Sequence, residues 1–184
     1  RVVAFDIVWE ERTSTRPDDD EQLRAALADH GHAVMGAAVD GGGDRPLSSR
    51  LPDAKFRTVA TWGFAEVRNS GVFRRPISEH EGVPSLARRV AEIAKGTLPE
   101  VPGWAWLNYY GPPGTIEHHS LLAVMSNSVP TGAFSNKVVF VGANNDISNG
   151  LSTGNDIVES PYSRWRLAPM PGVEVNATSY LNLL

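Results

Sequence analysis

The residues able to do chemistry in this chain gather where apolar runs break into small polar ones. "KVVFVGANN", residues 137–145, reads as a buried strand that ends at Gly142 and passes into Asn144 and Asn145. Such a strand end is a place where α/β proteins hold small solutes. A dinucleotide loop would need closely spaced glycines opening onto a helix, but the next glycines are Gly150 and Gly154, in proline-rich loop. A phosphate loop would need Gly-Lys-Ser or Gly-Lys-Thr, and the chain has neither. The nucleotide reading therefore fails, while the strand end stays a candidate rim.

The other groups are weaker. Asp6 lies inside the strand "RVVAFDIVW", and a carboxylate there needs partners. Its plain role is to cap the N–H groups of a neighbouring loop. Adjacent residues on a helix point in different directions, so His118 and His119 read as helix-start or surface histidines rather than a metal pair. Asp146 and Asp156 fall in a long loop, where turn formation is their default. Asn176-Ala177-Thr178 matches a glycosylation triplet, but in a helical end it reads as a chance match. Trp104, Trp106, Tyr109 and Tyr110 read as core plus one sheet face rather than a ligand cage. There is no Gly-x-Ser-x-Gly elbow and no zinc helix.

The elements that must position these groups alternate along the chain. "VVAFDIV" is a strand, and the acids Asp18, Asp19 and Asp20 suit the start of the helix "EQLRAALADH", stopped by Gly31. "HAVMGAAV" is a second strand, and residues 40–57 read as a long flexible connection around "DGGGDRP". "TVATWGFAEV" and "GVFRRPIS" flank the turn "RNSG" and predict an antiparallel hairpin. "GVPSLARRVAEIAKG" is the clearest helix, with Leu86, Val90 and Ile93 on one stripe. "GWAWLNYYG" reads as an aromatic strand, "HHSLLAVMSN" as a short helix, residues 143–170 as loop, and "GVEVNATSYLNLL" as a strand-to-helix or purely helical end. This order predicts a single layered α/β domain, with a mixed, mostly parallel sheet flanked by helices.

Composition narrows the function classes. The 184 residues are 41% hydrophobic and 21% charged, ordinary for one globular domain. A net charge of −4 provides no basic field for nucleic acid, and Arg74-Arg75 and Arg88-Arg89 read as solvated surface. Without cysteine there is neither a disulfide framework nor a thiolate metal site. No apolar stretch reaches the roughly 18 residues needed to cross a bilayer. The abrupt ends, a strand directly after Arg1 and an apolar "YLNLL" finish, suggest a piece excised from a longer protein.

Taken in order, the pieces resemble the type-two CHASE domain, an extracytoplasmic sensor module of bacterial transmembrane receptors. "VVAFDIVWEE" is similar to that family's strand with an inner aspartate, and "DDDEQLRAAL" to the helix after it. "RNSGVFRR" resembles its turn with Gly71 and Arg74, "VPSLARRVA" its Pro-Ser-Leu-Ala helix start, and "LNYYGPPGTI" its aromatic and glycine turn. "FSNKVVFVGA", "NDIVESPYS" with Asp156 and Pro161, and "MPGVEVNATSYLNLL" resemble its closing elements. The resemblance implies that residues 1–184 form one sensor domain, expected to lack the family's first strand and helix and to be cut before the transmembrane helices that follow.

The resemblance implies a receptor input domain with a cyclase or kinase output. It implies no catalytic residue, cofactor or metal, and an extracytoplasmic place, periplasmic or at the cell surface, in a membrane-tethered protein. The expected partners are an undefined small-molecule or envelope-derived ligand and a second copy in a homodimer, with no nucleic acid. The ligand site is expected at the carboxyl edge of the sheet: Asp6, Glu10, Tyr109, Gly142, Asn144, Asn145 and Asp156. The alternatives are a dimerisation scaffold without a ligand, and an α/β hydrolase-like enzyme drawing on His118, His119, Asp146 and Asp156.

Overall fold

The central strand of the sheet is also its first. β1 (Val2–Asp6) pairs in parallel with β2 (Ala33–Gly42) on one side and with β7 (Val138–Gly142) on the other. β4 (Thr61–Phe64) adds in parallel to the outer side of β2, so the parallel strands run β4-β2-β1-β7. The far end of β2 continues past them and turns back as antiparallel β3 (Arg45–Arg50), completing a 5-stranded mixed sheet. The structure is a computed structural model that describes residues 2–10, 17–42, 45–65, 72–75, 78–80, 82–103, 105–144, 156–165 and 169–184.

Alternation along β1 assigns its two faces. Val2 and Ala4 are buried with Val34 of β2 against Leu86 and Val90 of α3 (Leu86–Lys95), and with Tyr180 of α5 (Gly172–Asn182). Phe5 points the other way, into a cluster with Met35, Phe56 of α2 (Ala54–Arg57) and Leu27 of α1 (Pro17–His30). The sheet is thus covered by helices on both faces, as the sequence predicts. α3 owes its start to Ser85, whose Oγ accepts the Arg88 amide at 3.2 Å, a cap worth about 1 kcal/mol. It ends at Gly96, whose φ of 85° an L side chain would resist.

Several local expectations change. The predicted flexible connection at 40–57 is mostly ordered: β2 runs on to Gly42, β3 returns, and α2 follows under an Asp53 cap. The "RNSG" turn lies outside the described residues, but its flanks do not pair with each other as described. β4 pairs with β2, while the Phe73 amide donates to the Glu159 carbonyl and the Arg74 carbonyl accepts from Leu107. β-propensity marks a strand without naming its partner.

The aromatic segment 105–110 joins no sheet among the described residues, with Leu107 inward and Trp106 63% exposed; Trp104 lies outside the described residues. Within the predicted loop 143–170, β8 (Ile157–Val158) pairs with β9 (Met170–Pro171), and Ser163–Trp165 forms one 3-10 turn. A small hairpin of β5 (Glu79–His80) and β6 (Val83–Pro84) leads into α3. The short helix is α4 (Leu121–Met125), and the closing segment is purely helical.

Candidate functional site

The carboxyl ends of β1 and β7 lie side by side, because Asp6 pairs with Gly142 in the ladder. This is the point where strand order reverses, since the chain places β2 and β4 on one side of β1 and β7 on the other. Open α/β sheets keep their ligand crevice outside such a point. Asp6 follows Ala4 on the face covered by α3 and α5, so its carboxylate faces α5.

Asn176 answers it from the second turn of α5. Its Nδ2 donates to Asp6 Oδ2 at 3.2 Å and to the carbonyl of Ala65, just past β4, at 3.3 Å. A third strand end is thereby tied to the same amide. Asn176 is only 5% exposed, so the loss of either bond would strand a buried polar group. Asp156 approaches from the segment before β8. Its carbonyl accepts the Gly172 amide at 3.0 Å, and its carboxylate lies flush against Gly172 at the start of α5. A Cβ at Gly172 would overlap that carboxylate. One at Gly142 would lie 2.9 Å from the Asp6 Cβ and 2.8 Å from the Val173 Cβ. Both glycines are small so that two acids and a helix can meet.

Burial, and secondarily the charge of Asp156, push the Asp6 carboxyl up to about 7, against the opposing bond from Asn176. Asp156 is also raised, by burial. The more enclosed Asp6 is therefore the acid that keeps a proton near neutral pH. Among the described residues neither carboxylate has a lysine or arginine partner.

Of the residues expected at the site, the structure brings together Asp6, Gly142 and Asp156. Asn144 is exposed two positions beyond Gly142, and Asn145 lies outside the described residues. Glu10 leaves in another direction, to an ion pair with Arg50 at 2.6 Å. Tyr109 packs with Leu107, Val158, Met170 and Val175, and its hydroxyl donates to the Phe73 carbonyl at 2.8 Å; burial raises its ionisation well above the usual range. Sequence reasoning missed Asn176 and Gly172. The available signal was an amide inside an apolar helical run, directly after a Pro-Gly helix start.

Asp6 also differs from its plain expectation, accepting from a side-chain amide rather than from loop N–H groups. His118 and His119 precede α4; His119 lies 3.4 Å from Glu117 and edge-on to Phe134. No contact joins them to Asp156, and among the described residues no group of histidines and acids could hold a metal. Two open grooves lie elsewhere, about 430 Å³ between Arg57, Trp62, Pro84 and Arg89, and about 440 Å³ beside Val124 and Phe134. Neither contains the acids.

Glu174, two residues before Asn176, turns outward. Its carboxylate accepts the amides of Gly114 (2.9 Å) and Ile116 (3.3 Å), clasping the loop 111–116 to α5. At the other end of the helix Asn182 exchanges bonds with both the N–H and the C=O of Asn108. α5 thus carries the polar joint at its start and straps the preceding segment along its length.

The two-sided α/β sheet thus has a polar joint at its switch point, bonded to the closing helix. The family model for the CHASE2 domain matches residues 1–184, and the chain belongs to that family of extracellular sensory domains of receptors. No curated protein and no solved structure is significantly similar to the chain. The family is one of sensor domains rather than catalysts, in keeping with an extracytoplasmic place. No helix among the described residues is long and apolar enough to cross a membrane.

Proposed function

We propose that this domain is the stimulus-sensing input of a bacterial transmembrane receptor with a cyclase or kinase output, held outside the cytoplasmic membrane as a homodimer. The observation that carries the reading is the Asn176 amide, bound to both Asp6 and the Ala65 carbonyl. Anything that alters the strand ends must alter the start of α5. A small or envelope-derived solute that hydrogen-bonds the exposed Asn144 and the Asp6–Asp156 acids would favour one arrangement of α5 over another, and only such differential binding can drive a switch.

The test is a thermal-shift screen of the domain against small metabolites, ions and cell-wall fragments, repeated on Asn144→Ala and Asp156→Asn. Ligand at a hundredfold excess over its Kd adds about 2.7 kcal/mol of stability. A hit lost in both variants supports the placement, and a hit untouched by both moves the site elsewhere.

The scaffold reading rests on α4, where Leu121, Leu122 and Met125 face solvent on a helix with no buried residue. Mass in solution decides it. A dimer that persists on dilution, with a melting point indifferent to every solute, would favour the scaffold.

A further inference from the structure

We propose that Asp6, Asp156 and Asn176 form a proton-gated latch, in which loss of the proton held by the two acids drives the end of β1 away from the start of α5. The inference rests on the reading above that this joint is the sensing site, and it names the proton as one stimulus.

The geometry requires two acids to meet one helix start. Asp156 is pressed on Gly172, Asp6 is pressed on Gly142, and the Asn176 amide spans Asp6 and Ala65. With a proton on Asp6 the two acids bring at most one charge into this space. When that proton passes to bulk water, two carboxylates share a partly buried space with one side-chain amide between three strand ends. Like charges so placed repel and cannot both stay desolvated. β1 is pinned by β2 and β7 on both sides, so the displacement falls to the first turn of α5.

Among the described residues the surrounding groups offer no compensation. β2 and β7 present Gly36 and Gly142 beside the end of β1. On α5, Glu174 is committed to Gly114 and Ile116, and beyond β8 Glu159 is exposed. On α3, Arg88 is held by Ser78 and Glu92, and Arg89 by Glu92 and the Trp62 carbonyl. Tyr109 is bonded to Phe73. The rise of the Asp6 carboxyl to about 7 agrees with this enclosure.

The experiment is a carboxyl-carbon and amide NMR titration of the domain between about pH 5 and pH 9. The Asp6 resonance should titrate near neutrality, and the amides of Ala65 and Gly172–Asn176 should move with the same midpoint. Asp156→Asn should shift that midpoint downward, and Asp6→Asn should remove the transition from the α5 amides. Both changes are isosteric, which guards against simple unfolding. An Asp6 midpoint in the ordinary carboxylate range, or α5 amides that do not follow it, would overturn the latch.

The solute screen run at both ends of the range separates the two readings. A near-neutral, α5-coupled titration with no solute bound leaves the latch and removes the ligand. A bound solute with an ordinary Asp6 does the reverse.

Discussion

Asn176 Nδ2 lies 3.2 Å from Asp6 Oδ2, joining residues 170 positions apart. The bond ties the first strand to the last helix, one turn beyond the Gly172 that Asp156 packs against. Local contacts could form each element separately; this contact makes the closing helix depend on the state of the sheet.

The first prediction concerns pH and stability. The folded Asp6 carboxyl holds its proton up to about 7, while a free aspartate loses it near 3.8. The folded state therefore binds more protons between these limits, and stability must fall as pH rises through them. The contribution is fully present below about 4, declines to about 7, and is flat above. At about 1.4 kcal/mol per unit the ceiling is on the order of 4 kcal/mol, and solvent relaxation should leave about half. Asp6→Asn keeps an acceptor for Asn176 and removes the titration. Urea unfolding at about pH 8 should find the variant more stable than the parent by on the order of 2 kcal/mol, with the gap closing at about pH 4.

Gly172→Ala tests the close approach of Asp156. In an open helix the change would stabilise by up to about 1 kcal/mol. Here the new Cβ would enter the Asp156 carboxylate, so a loss of about 1–3 kcal/mol is expected. Adding Asp156→Ala should recover most of it, and a double-mutant cycle reads the coupling. Additive losses would mean that the two residues do not press on each other.

Much of the fold was legible because apolar periodicity reports burial directly. The strands around Ala4 and Phe140 and the helix carrying Leu86 and Val90 all stand where their patterns put them. Partners were not legible. "TVATWGF" shows a strand but not that it adds to β2, and the glycines of "DGGGDRP" signal a turn without showing the β3 return beyond it. At the site, Asp6, Gly142 and Asp156 were marked by position at strand ends and in the loop. Asn176 was not, because an amide's role is fixed by what it reaches, and its acceptors lie 170 and 111 positions away. Glu10 and Tyr109 stood at comparable positions, but an arginine on β3 and a carbonyl at Phe73 claim their polar atoms.

Glu174 offers a prediction about the strap. Two amides of the loop 111–116 end on its carboxylate, with the Gly114 amide near both oxygens. Glu174→Ala should release the loop and cost about 1–3 kcal/mol, because bonds to a charged acceptor exceed neutral ones. Hydrogen exchange at Gly114 and Ile116 should rise sharply while β1 and β7 keep their protection. Glu174→Gln retains one acceptor oxygen and should fall between the two.

The core and the α4 surface should respond oppositely to truncation. Val90 is fully buried against Val2, Ala4 and Val34 between sheet and helix, so Val90→Ala should cost about 2 kcal/mol or more by leaving a cavity. Leu122 is 76% exposed on α4, and Leu122→Ser removes little that folding had buried. Its melting point should stay within about 0.5 kcal/mol of the parent in equivalent stability. If the domain pairs through this apolar surface, the same substitution should shift the mass in solution toward monomer at equal concentration. A dimer indifferent to Leu122→Ser would move the contact away from α4, while a melting point that fell with it would show that α4 packs on something within its own chain.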